Sequence, residues 1–285
     1  MRRIPRASLV ALLLLALAGT ASAAIHYQAT TTTDNPQGVD FKMVVEAWID
    51  GEKARIEFKE SGNPMAPAGA YIVTRDGGKT LFLVDPEAKT YAHWDIEALM
   101  RMAGAVLEGM GGLVKIEFSE PQVGKLLDED GGLVAGLPTR HPRYRSTYSM
   151  QVRVIGMKQA SQVESVQDYW VTRELSDVAL GVWLRSEPPR TGNEDLDRLI
   201  DSEMGKIDGF PLKTVTVSKT TGGRKGQRET VTRTEMVVTD LDTRAPAPAA
   251  AQFEVPPGYT ETQMLPEGTG PESPFGALRR RDGGP

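Results

Sequence analysis

FKMVVEAWIDGEKARIEFKESGNPMAPAGAYIVTRDGGKTLFLVDPEAKTYAHW, residues 41–94, decides the fold. Phe41, Met43, Val45, Ala47 and Ile49 recur at every second position, so one side of an extended strand is apolar. Asp50-Gly51 is a hairpin turn, and Ala54, Ile56 and Phe58 repeat the period on the return strand. Asp76-Gly77-Gly78 then joins Ala70–Arg75 to Leu81–Val84, and Asp85-Pro86 leads to Tyr91–Trp94. Five short alternating segments with turns between them read as an antiparallel meander. The one long interruption, Ser61–Gly69, holds two prolines and two glycines and reads as a mobile loop.

Upstream, Ile25–Thr33 is a β-branched run ending in a turn, hence a first strand. Downstream, Asp95 is placed to cap a helix reaching about Met110, with Ile96, Leu99, Met100, Ala103, Val106 and Leu107 at three-to-four spacing. Its glycines make it depend on packing, either as an ordinary core helix or as a lid that moves over an apolar cavity. Leu113–Phe118 reads as a strand and Gln122–Gly132 as a charged loop or short helix. Arg145–Met157, Val163–Thr172 and Leu180–Leu184 read as strands. A second helix starts at Asn193, with Leu196, Leu199, Ile200, Met204 and Ile207 along one stripe and Asp208-Gly209 as its stop. Phe210–Thr220 and Arg228–Asp240 form a long hairpin about Gly222–Gly226. Phe253–Tyr259 docks an aromatic end, and 265–285, rich in Gly, Pro and charge, reads as a disordered tail. Without βαβ alternation, the expectation is a mostly β protein built on a single curved antiparallel sheet.

Residues 1–23 carry a basic start, the apolar run Leu9–Ala18 and Ala21-Ser22-Ala23, which predicts a cleaved secretory signal. The run is far short of the roughly 20 residues that span a bilayer, so no transmembrane anchor is expected after cleavage. The chain has no cysteine, which excludes disulfides, thiolate metal sites and the lipid-modified cysteine of a lipoprotein. A soluble, exported product follows, periplasmic in a Gram-negative cell. Losing Arg2, Arg3 and Arg6 with the signal takes the formal charge from −5 to −8, a balance that argues against a nucleic-acid partner.

No catalytic chemistry stands out. His26, His93 and His141 are too far apart for a recognised metal motif, and G-x-S-x-G is missing. The carboxylates Glu57, Glu60 and Asp128–Asp130 are explained as charged, solvated positions. Thr139–Arg145 gathers three arginines and a histidine, either as a solvated strand edge or as a cradle for an anionic head group. No enzyme activity, metal or cofactor is expected.

The strand–turn–strand ending in Arg55-Ile56-Glu57-Phe58, then Asp76-Gly77, Leu81-Phe82-Leu83 and Asp85-Pro86, resembles the periplasmic lipoprotein carriers of the LolA/LolB-like superfamily, in a branch of exported relatives. Gly209-Phe210-Pro211-Leu212-Lys213 and Phe253–Tyr259 are similar to that branch's closing motifs. The resemblance covers a domain of 24–264 with an unaligned region at about 113–190. It implies a half-open barrel with two helices against the concave face and acyl chains between them. It also implies that Arg55 latches a helical lid shut, near Met110. The expected ligand is apolar, a lipid or lipidated partner, lined by Val45, Phe58, Phe82, Trp94, Leu99 and Met102. The alternative is an envelope structural or interaction module whose concave face is filled by its own side chains.

Overall fold

The computed structural model of the chain describes residues 23–34, 40–63, 66–95, 100–101, 114–154, 157–175, 190–204, 206–222 and 228–262. Residues 1–22 of the expected signal, the strand at 180–184 and the tail at 265–285 lie outside the described residues, while Ala23 opens the first strand.

Among the described residues one sheet of thirteen strands carries the fold. The meander forms as its turn signals require: β2 (Phe41–Asp50), β3 (Lys53–Ser61), β4 (Tyr71–Thr74), β5 (Thr80–Asp85) and β6 (Thr90–Asp95), each antiparallel to the next. Gly51 and Gly77 take the left-handed φ, +59° and +69°, that the tight turns demand. The first strand, β1 (Ala23–Asp34), lies between β2 and β12 (Arg228–Pro246). Past β12 come β11 (Phe210–Gly222), β10 (Met157–Thr172) and β9 (Leu137–Val154). The far edge of β9 is shared by β7 (Val114–Phe118) and β8 (Gln122–Val134). The region at 113–190 that the resemblance leaves unaligned thus supplies β7–β10 of the same sheet. At the opposite end, β13 (Thr260–Thr262) adds to β6 in parallel. Among the described residues β13 does not pair with β7 or β8, so the sheet stays open.

Three expectations are corrected. Gln122–Gly132 is a strand: its charges sit on an exposed edge, and two register shifts, at Lys125/Leu127 and Asp130/Gly132, hide the period-2 pattern. Of two expected helices, the described residues hold one α-helix, α1 (Glu194–Met204). The other span lies outside the described residues apart from Met100 and Arg101, which are helical, and Asp95 is the last residue of β6. The loop after β3 is pinned where it is described, with Ala66 and Ala70 buried and Gly69 N–H donating to the Phe58 carbonyl at 2.7 Å.

The core explains the curvature. A single buried cluster joins Ile25, Tyr27, Ala47, Ile49, Ile56 and Ile72 to Phe210, Leu212 and Val238 and, through partly buried contacts, to Val134 and Leu137 at the β8–β9 tip. Strands that far apart in sheet order share one dry cluster only if the sheet curls toward that face.

The β4–β5 turn is held by side chains. Asp76 accepts from Thr80 N–H (2.9 Å) and the Thr74 hydroxyl (3.0 Å), and Thr74 Oγ1 accepts from Gly78 N–H (3.0 Å). Burial raises the Asp76 carboxyl, but the Thr80 and Thr74 hydrogen bonds outweigh it and hold the group below its ordinary value. A folded-state value below the unfolded one gives stability that is complete above the ordinary aspartate range and lost as pH falls through the lowered value. Asp76→Ala should therefore cost about 1–3 kcal/mol at pH 7, and urea titrations should show the gap to the wild type closing at acid pH.

Candidate functional site

Residues paired across an antiparallel sheet share a face, so the registers divide the chain into two. Ile49–Ala54, Ala47–Ile56, Val45–Phe58, Ile56–Ile72 and Ile72–Leu83 place the apolar meander positions on the concave face. On the same face, Gln167, Thr216, Thr234 and Thr33 stand in one row across β10, β11, β12 and β1. Ser165, Ser218 and Thr232 form the next row. Beyond them, Phe118 faces Met150 and Ile116 faces Val152. The concave side is therefore graded: a buried apolar floor, a hydroxyl-bearing band, and a half-buried apolar wall at β7 and β9.

Helix α1 lies over that wall. The Asn193 side chain caps it by accepting from Leu196 N–H at 3.1 Å, and Glu194, Asp195 and Asp197 favour its positive end. No residue of the helix is fully buried, so its stripe of Leu196, Leu199, Ile200 and Met204 stays half-exposed. What holds the helix is polar. Lys206, just past it, has a side chain only 1% exposed. Its Nζ donates to Ser146 Oγ at 2.7 Å and to Gln167 Oε1, and sits 2.6 Å from Glu203 Oε1. Gln167 Nε2 donates to Glu203 Oε2 at 2.8 Å and the Ser146 hydroxyl to Glu203 Oε1 at 3.2 Å. Burial lowers the Lys206 ammonium's pKa, against the opposing pull of Glu203. Burial, helped by the Glu203 charge, raises the nearby Tyr148 and Tyr169 phenols. A serine beside a lysine suggests nucleophilic chemistry, but Ser146 is 1% exposed and the lysine is neutralised by its carboxylate. These four residues bolt α1 to β9 and β10. Sequence reading missed them; the Glu203-to-Lys206 spacing at the helix end was the available signal.

The residues expected to line a cavity separate. Val45 and Phe58 pair on the concave face, both buried in the core cluster. Phe82 is on the opposite face: it pairs with Val73 and His93, packs with Tyr71, Val73 and Val84, and meets Tyr91 edge-on. The reason is register, since Leu81 and Leu83, not Phe82, continue the inward period. Trp94 stands across from Leu81 in the ladder. Leu99 and Met102 lie outside the described residues.

Arg55 is on the outer face too. Its guanidinium stacks 3.5 Å over the Tyr71 ring, and its nitrogens donate to Glu57 and to the Gln252 carbonyl, both at 3.4 Å. It fastens the closing segment, where Phe253 ends a 3₁₀ turn (Ala250–Phe253) and Val255 and Tyr259 cover the outer cluster. The latch expected at Met110 is thus, among the described residues, a latch on residue 252.

The three histidines stand on β1, β6 and β9. His26 bonds Glu46 at 2.9 Å, His93 stacks on Phe82, and His141 stacks on Trp170 at 4.1 Å and bonds Asp168 at 2.7 Å. Among the described residues no group of three or more His, Asp or Glu side chains is placed to hold a metal. In the stretch Thr139–Arg145, Arg143 pairs with Asp168 and Arg145 with Glu164 on the outer face, while Arg140 pairs with Asp128. Those arginines are neutralised within the sheet.

The molecule defined this way is an open, curved antiparallel sheet with a graded concave face beneath one described helix. A family model described as a domain of unknown function, DUF4412, matches residues 150–259. No curated protein sequence matches the chain. An uncharacterized conserved protein from Thermus thermophilus is similar in structure over 89% of this chain and 98% of its own, at 10% identity and a TM-score of 0.35. A LolA superfamily protein from Nitrosomonas europaea is similar over 82% and 91%, at 11% identity and a TM-score of 0.29. A DUF1329 family protein from Desulfovibrio piger is similar over 85% and 93%, at 9% identity and a TM-score of 0.31. At these values the likenesses carry nothing about ligand or partner.

Proposed function

We propose that this is an exported, periplasmic, non-enzymatic protein that binds an apolar ligand, a lipid or the acyl chain of a lipidated partner, between α1 and the concave face. The observation that carries this reading is the partly exposed stripe Leu196, Leu199, Ile200 and Met204 on a helix bonded to β7 through Phe118 N–H and Asp195, next to the partly exposed Ile116, Phe118, Met150 and Val152. Apolar surface left partly exposed on both the helix and the neighbouring strands favours a guest over water. The fully buried floor at Val45 and Phe58 moves the binding surface away from the meander and toward β7–β10. Each methylene buried there contributes about 0.8 kcal/mol, so one acyl chain binds reversibly. Among the described residues no helix is long and apolar enough to cross a membrane, which accords with a carrier working from the aqueous side.

Native mass spectrometry of protein isolated without detergent tests the reading, together with uptake of Nile red. Co-purified lipid or saturable dye uptake is expected. A clean apo mass with no uptake would favour the self-filled module. Leu199→Asp should weaken uptake about tenfold or more while leaving the far-ultraviolet circular dichroism unchanged, because it places a charge on the apolar stripe.

A further inference from the structure

Resting on that reading, we infer that the ligand is an amphiphile with a neutral head rich in hydroxyl or amide groups, and that this face discriminates against anionic lipids. The concave face supplies the argument. Along β1–β3 and β10–β12, the inward positions from Ile25 to Thr33, Phe41 to Ile49, Ala54 to Phe58, Gln159 to Tyr169, Phe210 to Thr220 and Thr230 to Val238 carry no charged side chain. The charges of those strands point outward. His26, Glu46, Lys59 and Glu57 form one group there, Lys213, Arg233 and Glu235 another, and Asp168 pairs with His141 and Arg143.

In place of charge, the inward band offers hydroxyls. Thr33 Oγ1 and Thr234 Oγ1 are 3.0 Å apart, and Ser165 Oγ and Ser218 Oγ 2.8 Å. Each hydroxyl donates once and accepts twice, so a pair bonded to itself keeps capacity for a guest. These residues are half-buried, not sealed. They lie between the apolar floor and the apolar wall, where the polar end of a ligand would fall once its chain occupied the gap under α1.

The cations nearest this face among the described residues are already bound to carboxylates. Lys206 is consumed by Glu203, and at the rim Lys125 and Arg140 both bind Asp128, at 3.0 and 2.7 Å. The carboxylate beside the hydroxyl band, Glu203, is held by Lys206, Gln167 and Ser146 and still keeps 35% of its side chain exposed. Bringing a carboxylate or phosphate here costs desolvation without a partner and meets a like charge.

The test compares two probes with the same chain, 1-monopalmitoylglycerol and palmitate, as displacers of bound Nile red at pH 8 and below their aggregation concentrations. The glycerol ester is expected to displace at a concentration at least about tenfold lower, the ratio that about 1.4 kcal/mol of uncompensated cost represents. Palmitate displacing equally well or better overturns the inference and leaves apolar binding intact. Failure of Nile red to bind at all removes the binding reading, and this inference with it.

Discussion

Phe253→Ala should destabilise the protein by about 3–5 kcal/mol, the range for emptying a fully packed aromatic site. Phe253 is 1% exposed and lies almost two hundred residues from the strand it leans on, since its turn is fastened to β3 by Arg55 through the Gln252 carbonyl. Tyr71 is held under the Arg55 guanidinium, and Val255 and Tyr259, just after Phe253, pack on the outer cluster. Loss of the phenyl ring therefore unseats a strap as well as opening a void. Urea titration measures the cost, and limited proteolysis should show earlier cleavage after residue 246. A change below about 1 kcal/mol would mean that the strap is not docked as described. Arg55→Ala should cost less, because a cation over an aromatic ring contributes about 0.5–2 kcal/mol.

Lys206→Ala should cost about 3 kcal/mol, at the lower end of what breaking a buried charge pair costs because Glu203 retains some solvent. The variant strips Ser146 and Gln167 of a donor and loosens α1 from the sheet. Its pH dependence separates this role from simple packing. Burial holds the folded-state ammonium below the value of an unfolded lysine, so between those two values the unfolded chain binds more protons and stability rises with pH. Lys206→Met keeps the volume and removes the proton, so that alkaline rise should flatten. Chemical denaturation from neutral pH upward distinguishes the two; parallel curves for wild type and Lys206→Met would sink the assignment.

Much of the sheet was legible because its turns are written in residues that few other structures tolerate. Asp50-Gly51, Asp76-Gly77-Gly78 and Asp85-Pro86 mark β2–β6, and the long Thr/Val alternation marks β11 and β12. Helix α1 was legible from Asn193 and its apolar stripe. What failed was long-range. Nothing local reveals that β1 pairs with β12, or that a 3-residue strand joins β6 in parallel. Phe82 looked like lining because it is large and apolar, yet a meander with a covered outer face has two apolar sides, and register alone chooses between them. Arg55 pointed to a latch near Met110, which lies outside the described residues; among those described it bonds the Gln252 carbonyl. Lys206 escaped notice since a lysine after an acidic helix is ordinarily solvated.

The placement of β1 has a consequence for assembly. Ala23 pairs with Pro246, and the Thr33–Thr234 contact joins positions 201 residues apart. The early hairpins can zip locally as they emerge, but the middle of the molecule is a seam stitched by its most distant partners, which makes closure the slow, entropy-limited event. Until the final hairpin arrives, the N-terminal ribbon presents a bare flank to any neighbour. A chain threaded outward in extended form would have to be guarded at that one strand.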